Sequence, residues 1–142
     1  MLKRLLSLFG SGKSTETPVT LDALQGKWRM FSVGKNGNFA PPGVAYKAKI
    51  YMVIKGNAYQ TITDGTPGDQ GKIQLDESAK PVHFDQHITK GESAGDIHLG
   101  IVRICDGVLE NCQGDAGNPR PKNFDKQRND NASLASFKRV GD

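Results

Sequence analysis

Short runs of strand-forming residues, bounded by turn pairs, make up most of this chain. Asn36-Gly37, Gly56-Asn57, Asp64-Gly65 and Asp106-Gly107 each favour a tight reversal, and the segments between carry no helical period longer than a turn or two. The stretches 28–33, 48–54, 58–63, 71–75, 82–89, 97–105, 108–112 and 133–140 therefore read as strands. Without helices to carry parallel crossovers, successive strands pair antiparallel. About eight such strands close a small up-and-down β-barrel. The one helical element expected is a short N-terminal turn, opened by Thr20 and ended by Gly26.

A chain of 142 residues has room for one domain. We divide it into a flexible polar tail, 1–19, and a barrel domain, 20–142. The formal charge of +4 is split evenly, half of it in the first twenty residues. In the remainder, Lys and Arg alternate with Asp and Glu and form no basic stripe, which argues against nucleic-acid binding. Met1-Leu2-Lys3-Arg4 introduces an apolar run of about five residues, short of the ~7–15 of a secretory leader, so a cytoplasmic location is expected. Leu2, Leu5, Leu6 and Phe9 share a helical face too brief for stable membrane insertion. Gly12-Lys13-Ser14-Thr15 imitates the end of a phosphate-binding loop. Ser7 stands where the first glycine is needed, however, and no strand precedes it, so a flexible linker is the better reading.

Several residue groups invite a chemical reading. Cys105 and Cys112 flank Asp106-Gly107. A two-residue hairpin there sets Cys105 opposite Val108 and Cys112 opposite Ile101, on different rungs, and both thiols are expected to be free. Gly91-Glu92-Ser93-Ala94-Gly95 fits the nucleophile pattern G-x-S-x-G but lies between two strands, with its only downstream histidine on the very next one, which argues against a hydrolase. His83, His87 and His98 are weak metal candidates. A hairpin pairing Thr89 with Asp96 would set His87 opposite His98, with His83 on the same face, but no carboxylate or thiolate completes the set. No catalytic residue and no cofactor is assigned.

Apolar side chains supply a firmer lead. On one face of the strands, Trp28, Met30, Ile50, Met52, Ile62 and Phe84 are expected to line the barrel interior, where a small apolar ligand would sit. Ile50 to Ile54 is apolar on both faces, so something must cover its outside: a loop, the N-terminal segment, a protein partner or a second copy of the chain. Tyr51 and Val53, together with Arg120 and Phe124 in the long 114–131 connection, are the expected partner contacts. The connections 34–46 and 64–70 complete a set of three long loops at the barrel ends.

Gly26-Lys27-Trp28 resembles the G-x-W signature of lipocalins. There the tryptophan plugs one end of the barrel and a basic residue of the last strand covers it, a role that would fall to Lys138 or Arg139, with Gly26, Trp28 and Arg139 as the closure. From Leu24 to Val140 the chain is similar to a lipocalin-like family of bacterial domains numerous in planctomycetes. The matching residues are Leu24, Gln25, Gly26, Trp28, Gly100, Ile101, Cys112, Arg120, Pro121, Phe124, Lys138 and Arg139. Val102 and Cys105 depart from that pattern, where an aromatic residue and Asp are usual. The resemblance implies a calycin-like barrel and names no reaction. The expected function is non-catalytic binding of a protein partner or a small apolar ligand. The alternative is a cytoplasmic immunity protein that neutralises a toxin.

Overall fold

A computed structural model describes residues 15–141. The chain runs through β1 (Glu16–Thr17), a 3-10 turn (Asp22–Leu24), β2 (Gly26–Lys35), β3 (Asn38–Phe39), α1 (Val44–Lys47), β4 (Ile50–Lys55), β5 (Ala58–Thr63), β6 (Thr66–Asp76), β7 (Val82–Lys90), β8 (Ile97–His98), β9 (Gly100–Cys105), β10 (Val108–Gln113) and β11 (Ser133–Arg139). Eight of these form a closed ring in chain order, β2-β4-β5-β6-β7-β9-β10-β11, with every pair antiparallel and β11 returning to β2. This is the all-β, up-and-down barrel expected from the turn pairs. Residues 1–14 of the tail assigned to 1–19, with the leucine face and most of the phosphate-loop mimic, lie outside the described residues. Residues 15–19 belong to the fold: β1 pairs with β9, and Val19 is buried in the core.

The three longest connections of the ring leave from one end. Gly56-Asn57, residues 77–81 and Asp106-Gly107 turn at the end where β2 begins and β11 finishes. The 36–49, 91–99 and 114–132 connections leave from the other. One of the expected loops, 34–46, carries structure of its own. Asn36-Gly37 turns β2 directly into β3, and α1 occupies 44–47, so β4 begins at Ile50 and not at Ala48. The 64–70 loop is absent altogether. Asp64-Gly65 is a tight hairpin turn, and Pro67-Gly68 lies inside β6, where an extra residue opposite Gln60–Ile62 forms a bulge. A bulge is one of the few places where a sheet tolerates proline, because no ladder N–H is required of it there.

Alternation fills the inside of the ring. Trp28, Met52, Ile54, Tyr59, Ile73, Phe84, Val102, Ile104, Leu109 and Phe137 form one buried cluster with Leu24 beneath them. A second, smaller cluster of Ile101, Cys112, Ala132 and Leu134 lies on the outer face and is roofed by Phe39 and Phe124. The 114–132 connection is thus a second layer on the wall. It is wound around Arg128, which bonds both Asp130 carboxylate oxygens at 2.8 Å, the Asn123 carbonyl at 2.8 Å and the Asp125 carbonyl at 3.2 Å.

The barrel closes at a weak seam. β7 and β9 pair only at Val82–Val102 and His83–Ile101 before they part. Beyond that point Asp85 and Arg120 stand in for the missing ladder: Gly100 N–H donates to Asp85 Oδ1 (3.3 Å), and Arg120 Nη1 donates to the Gly100 carbonyl (2.8 Å). Arg120 also holds both oxygens of Asp85, Nη2 to Oδ2 at 3.0 Å. Gly100 is needed for this fit, since a Cβ there would lie 2.8 Å from the Phe84 carbonyl and 2.9 Å from that of Cys112. Arg120 is therefore a latch on the wall and not the free partner contact expected of it, because its guanidinium is already spent on Asp85 and the Gly100 carbonyl.

Candidate functional site

One end of the barrel is sealed. Trp28 is 1% exposed, and its indole Nε1 donates to the Leu24 carbonyl at 2.9 Å, so the plug is tied to the 3-10 turn below it. Thr20 fixes that turn by accepting from Ala23 N–H at 3.1 Å. Of the two basic candidates, Arg139 makes the cover. Its guanidinium lies 4.2 Å from the indole centroid and donates to the carbonyls of Gln25 and Ala23, while Lys138 points outward over Phe31. Gly26 has φ +116°, and a Cβ there would stand 2.8 Å from Arg139 Nη1. Position 26 thus needs glycine both for its backbone and for the guanidinium beside it.

The other end is not filled. A cavity of about 160 Å³ lies inside the loop-bearing end, walled by Met30, Val33, Ile50, Met52, Ala135 and Phe137 on its apolar side. Thr61, Gln86, Asn111, Gln113 and Ser133 supply the polar side. Met30, Ile50 and Met52 are here as expected, and Trp28 and Phe84 form part of the packed core beneath. Ile62 is not in the interior. Tyr51 is its direct partner, and the inward set on β5 is Tyr59 and Thr61, opposite Ile54 and Met52, so Ile62 is one residue out of phase and faces outward.

Two of the polar wall residues escape a reading that follows apolar side chains alone. Gln86 and Asn111 are only 7% and 6% exposed. Asn111 donates through Nδ2 to the Ile101 carbonyl at 3.1 Å, and Gln113 donates to Gln86 Oε1. Among the described residues, Asn111 Oδ1 and Gln86 Nε2 make no hydrogen bond to protein. A sequence signal exists: both are amides at core-phase positions, within Phe84-x-Gln86-x-Ile88 and Leu109-x-Asn111-x-Gln113.

The outer face of β4 is partly covered by its own neighbours. Lys27 lies 4.4 Å from the Tyr51 ring centroid, and Arg29 is stacked on Tyr46 of α1 at 3.5 Å, leaving Tyr51 and Val53 half-buried. Phe124 is half-buried against the outer cluster, with Arg103 at 4.3 Å over its ring, and also lines a groove of about 570 Å³ with Val19, Pro81 and Val82. Among the described residues the exposed large apolar side chains are Ile97 on β8 and, each about half exposed, Val44 and Tyr46 beside a groove of about 720 Å³ lined by Phe31, Phe39, Pro41, Pro42, Lys126 and Lys138.

The histidines fall apart. His87 is opposite Ile97, and His98 is opposite Gln86, one register step from the expected pairing, so His83 and His87 face away from His98. The reversal itself sets this register: Ile88 N–H bonds the Asp96 carbonyl and Gly95 N–H bonds the Ile88 carbonyl, so Asp96 lies opposite Ile88 and not Thr89. His98 Nδ1 meets the Gly114 carbonyl at 2.9 Å. Ser93 sits in that same reversal, where its carbonyl accepts from Asp96.

Both thiols are free, with Cys105 opposite Val108 and Cys112 opposite Ile101. Burial pushes the Cys112 thiol up to about 11. Cys105 is also raised, first by desolvation and then by Glu16 beside it. Neither is set up as a thiolate nucleophile.

Compared with known proteins, the chain matches no family model, no curated protein and no solved structure. The functional reading therefore rests on the geometry of the two barrel ends.

Proposed function

We propose that this chain is a non-catalytic binding protein that takes a small ligand into the loop-bearing end of its barrel. The observation that carries this reading is the cavity between Met30, Met52 and Phe137, placed above a plug that closes the opposite end. A lipocalin-like container is built in this way, with one end stoppered and the other reached between loops. The size limits the ligand. About 150 Å³ suffices for a benzene-sized molecule, well under the ~300–1,000 Å³ of sites for larger compounds.

The test uses the protein's own methyl groups. Met30 and Met52 are two of only three methionines, and both line the cavity. With 13C-methyl methionine, small aromatic fragments should shift these two signals. Ala135 lines the same space, and Ala135→Leu should abolish the shifts with no loss of melting temperature, because the added carbons enter a void. Methyl signals that no fragment moves would overturn the proposal.

A second reading, a protein partner that includes the toxin-neutralising case, is favoured by Val44 and Tyr46 beside the outer groove. For that reading, Tyr46→Glu should weaken association measured by sedimentation without lowering the melting temperature. Unchanged association would remove it.

A further inference from the structure

The polar side of the cavity narrows the ligand class, on the footing that the cavity is a ligand site. Gln86 and Asn111 are more than nine-tenths buried, yet each keeps one amide group free toward the space they line. Asn111 is oriented by its bond to the Ile101 carbonyl, so the group it leaves free is the acceptor Oδ1. Gln86 is paired with Gln113, and whichever way that pair is turned, one end of the Gln86 amide remains unspent. Both groups are reached by solvent through the cavity, so an occupant that bonds them replaces the water it displaces, whereas an apolar one leaves them without a partner.

Charge narrows it further. The cavity wall contains no Asp, Glu, Lys, Arg or His among the described residues. An ionised ligand would lose its hydration and meet no counter-charge. The opposite wall, Met30, Met52 and Phe137, is apolar and suits a ring or a short branched chain.

We infer that the cavity selects a small uncharged molecule that carries a hydrogen-bond donor and acceptor side by side at one end of an apolar body, as in a primary amide or a lactam. Benzamide presents its N–H to Asn111 Oδ1 and its remaining polar atoms to Gln86, with the ring against the methionines. Water is the competing occupant, and a space of this volume holds about five molecules of it.

Three probes of nearly one shape decide the matter by methyl-shift titration of the full chain: benzamide, benzoate and ethylbenzene. Benzamide should bind at least about ten-fold more tightly than either of the others, the ratio expected of one or two hydrogen bonds or of an unpaired buried charge. Asn111→Leu should cost benzamide several-fold and raise ethylbenzene affinity, reversing the order. Ethylbenzene binding as tightly as benzamide to the unaltered protein would overturn the donor–acceptor inference and leave the ligand-site reading standing. Benzoate equal to benzamide would overturn the requirement for neutrality. Binding of none of the three would sink both this inference and the proposed function. Because the ranking on the unaltered protein is decisive, a failure of Asn111→Leu to fold would not rescue the idea.

Discussion

Replacing Arg139 by leucine tests the plug with little loss of side-chain bulk. The guanidinium sits 4.2 Å from the Trp28 ring and bonds the carbonyls of Gln25 and Ala23, the latter at 2.8 Å. An exposed cation–π contact contributes ~0.5–1 kcal/mol. Each charged hydrogen bond would add ~1.5–3 kcal/mol if buried, but Arg139 is exposed and solvent takes back most of that. The expected loss is therefore about 2 kcal/mol, or a fall of about 6–8 °C in melting temperature for a domain of this length. Arg139→Lys should recover roughly half, since a lysine keeps the charge over the ring but cannot fork between two carbonyls. The assay is direct because Trp28 is the only tryptophan. Acrylamide quenching of its emission should rise in Arg139→Leu before global unfolding. A further check is coupling: Gly26→Ala should cost less in the Arg139→Leu background, where the atom 2.8 Å from the added Cβ is gone. A variant that melts within ~1 °C of the unaltered chain, with unchanged quenching, would refute the idea that the arginine holds the plug.

Two further predictions concern the wall. Arg120→Met leaves Asp85, whose side chain is 14% exposed, without its partner and should cost about 3–5 kcal/mol in urea unfolding. Adding Asp85→Asn should return part of that loss, and a double variant as unstable as the single one would refute the latch. The pH response of the 114–132 layer follows from Asp130, whose pKa the Arg128 side-chain hydrogen bond pulls from 3.8 to about 2. Its folded value is depressed, so its contribution is fully present above about pH 4 and is lost as pH falls from about 4 to about 2. Because the carboxylate is about half exposed, that contribution is about 1 kcal/mol or less. Melting curves of Asp130→Asn and the unaltered chain should converge toward about pH 2, and a constant gap would count against the pair.

The barrel is readable because its determinants are local. Tight turns at Gly56-Asn57 and Asp106-Gly107 need only neighbouring residues, and the rungs between Cys105 and Cys112 follow from the turn alone. Sequence and structure part where a single extra residue changes the phase. The reversal after Ile88 pairs that residue with Asp96, which moves His87 from His98 to Ile97, and the bulge in β6 lets Pro67-Gly68 lie inside a strand although the pair reads as a loop. Arg120 differs for another reason. Its carboxylate lies 35 residues away, on a strand it meets only because the barrel closes there.

The cavity shows how the same alternation can point beyond architecture. A core-phase position normally holds an apolar side chain, and a barrel this short has every reason to fill itself with them, as it does around Trp28, Phe84 and Leu109. At the other end the phase is kept but the residue type changes to Thr61, Gln86, Asn111 and Gln113. Had stability alone shaped those positions, leucine or methionine would serve better than amides with unspent bonding groups. The retained polar phase is therefore the feature to look for in the strands of such a barrel: it marks the rungs where the wall stops packing against itself and begins to face something else.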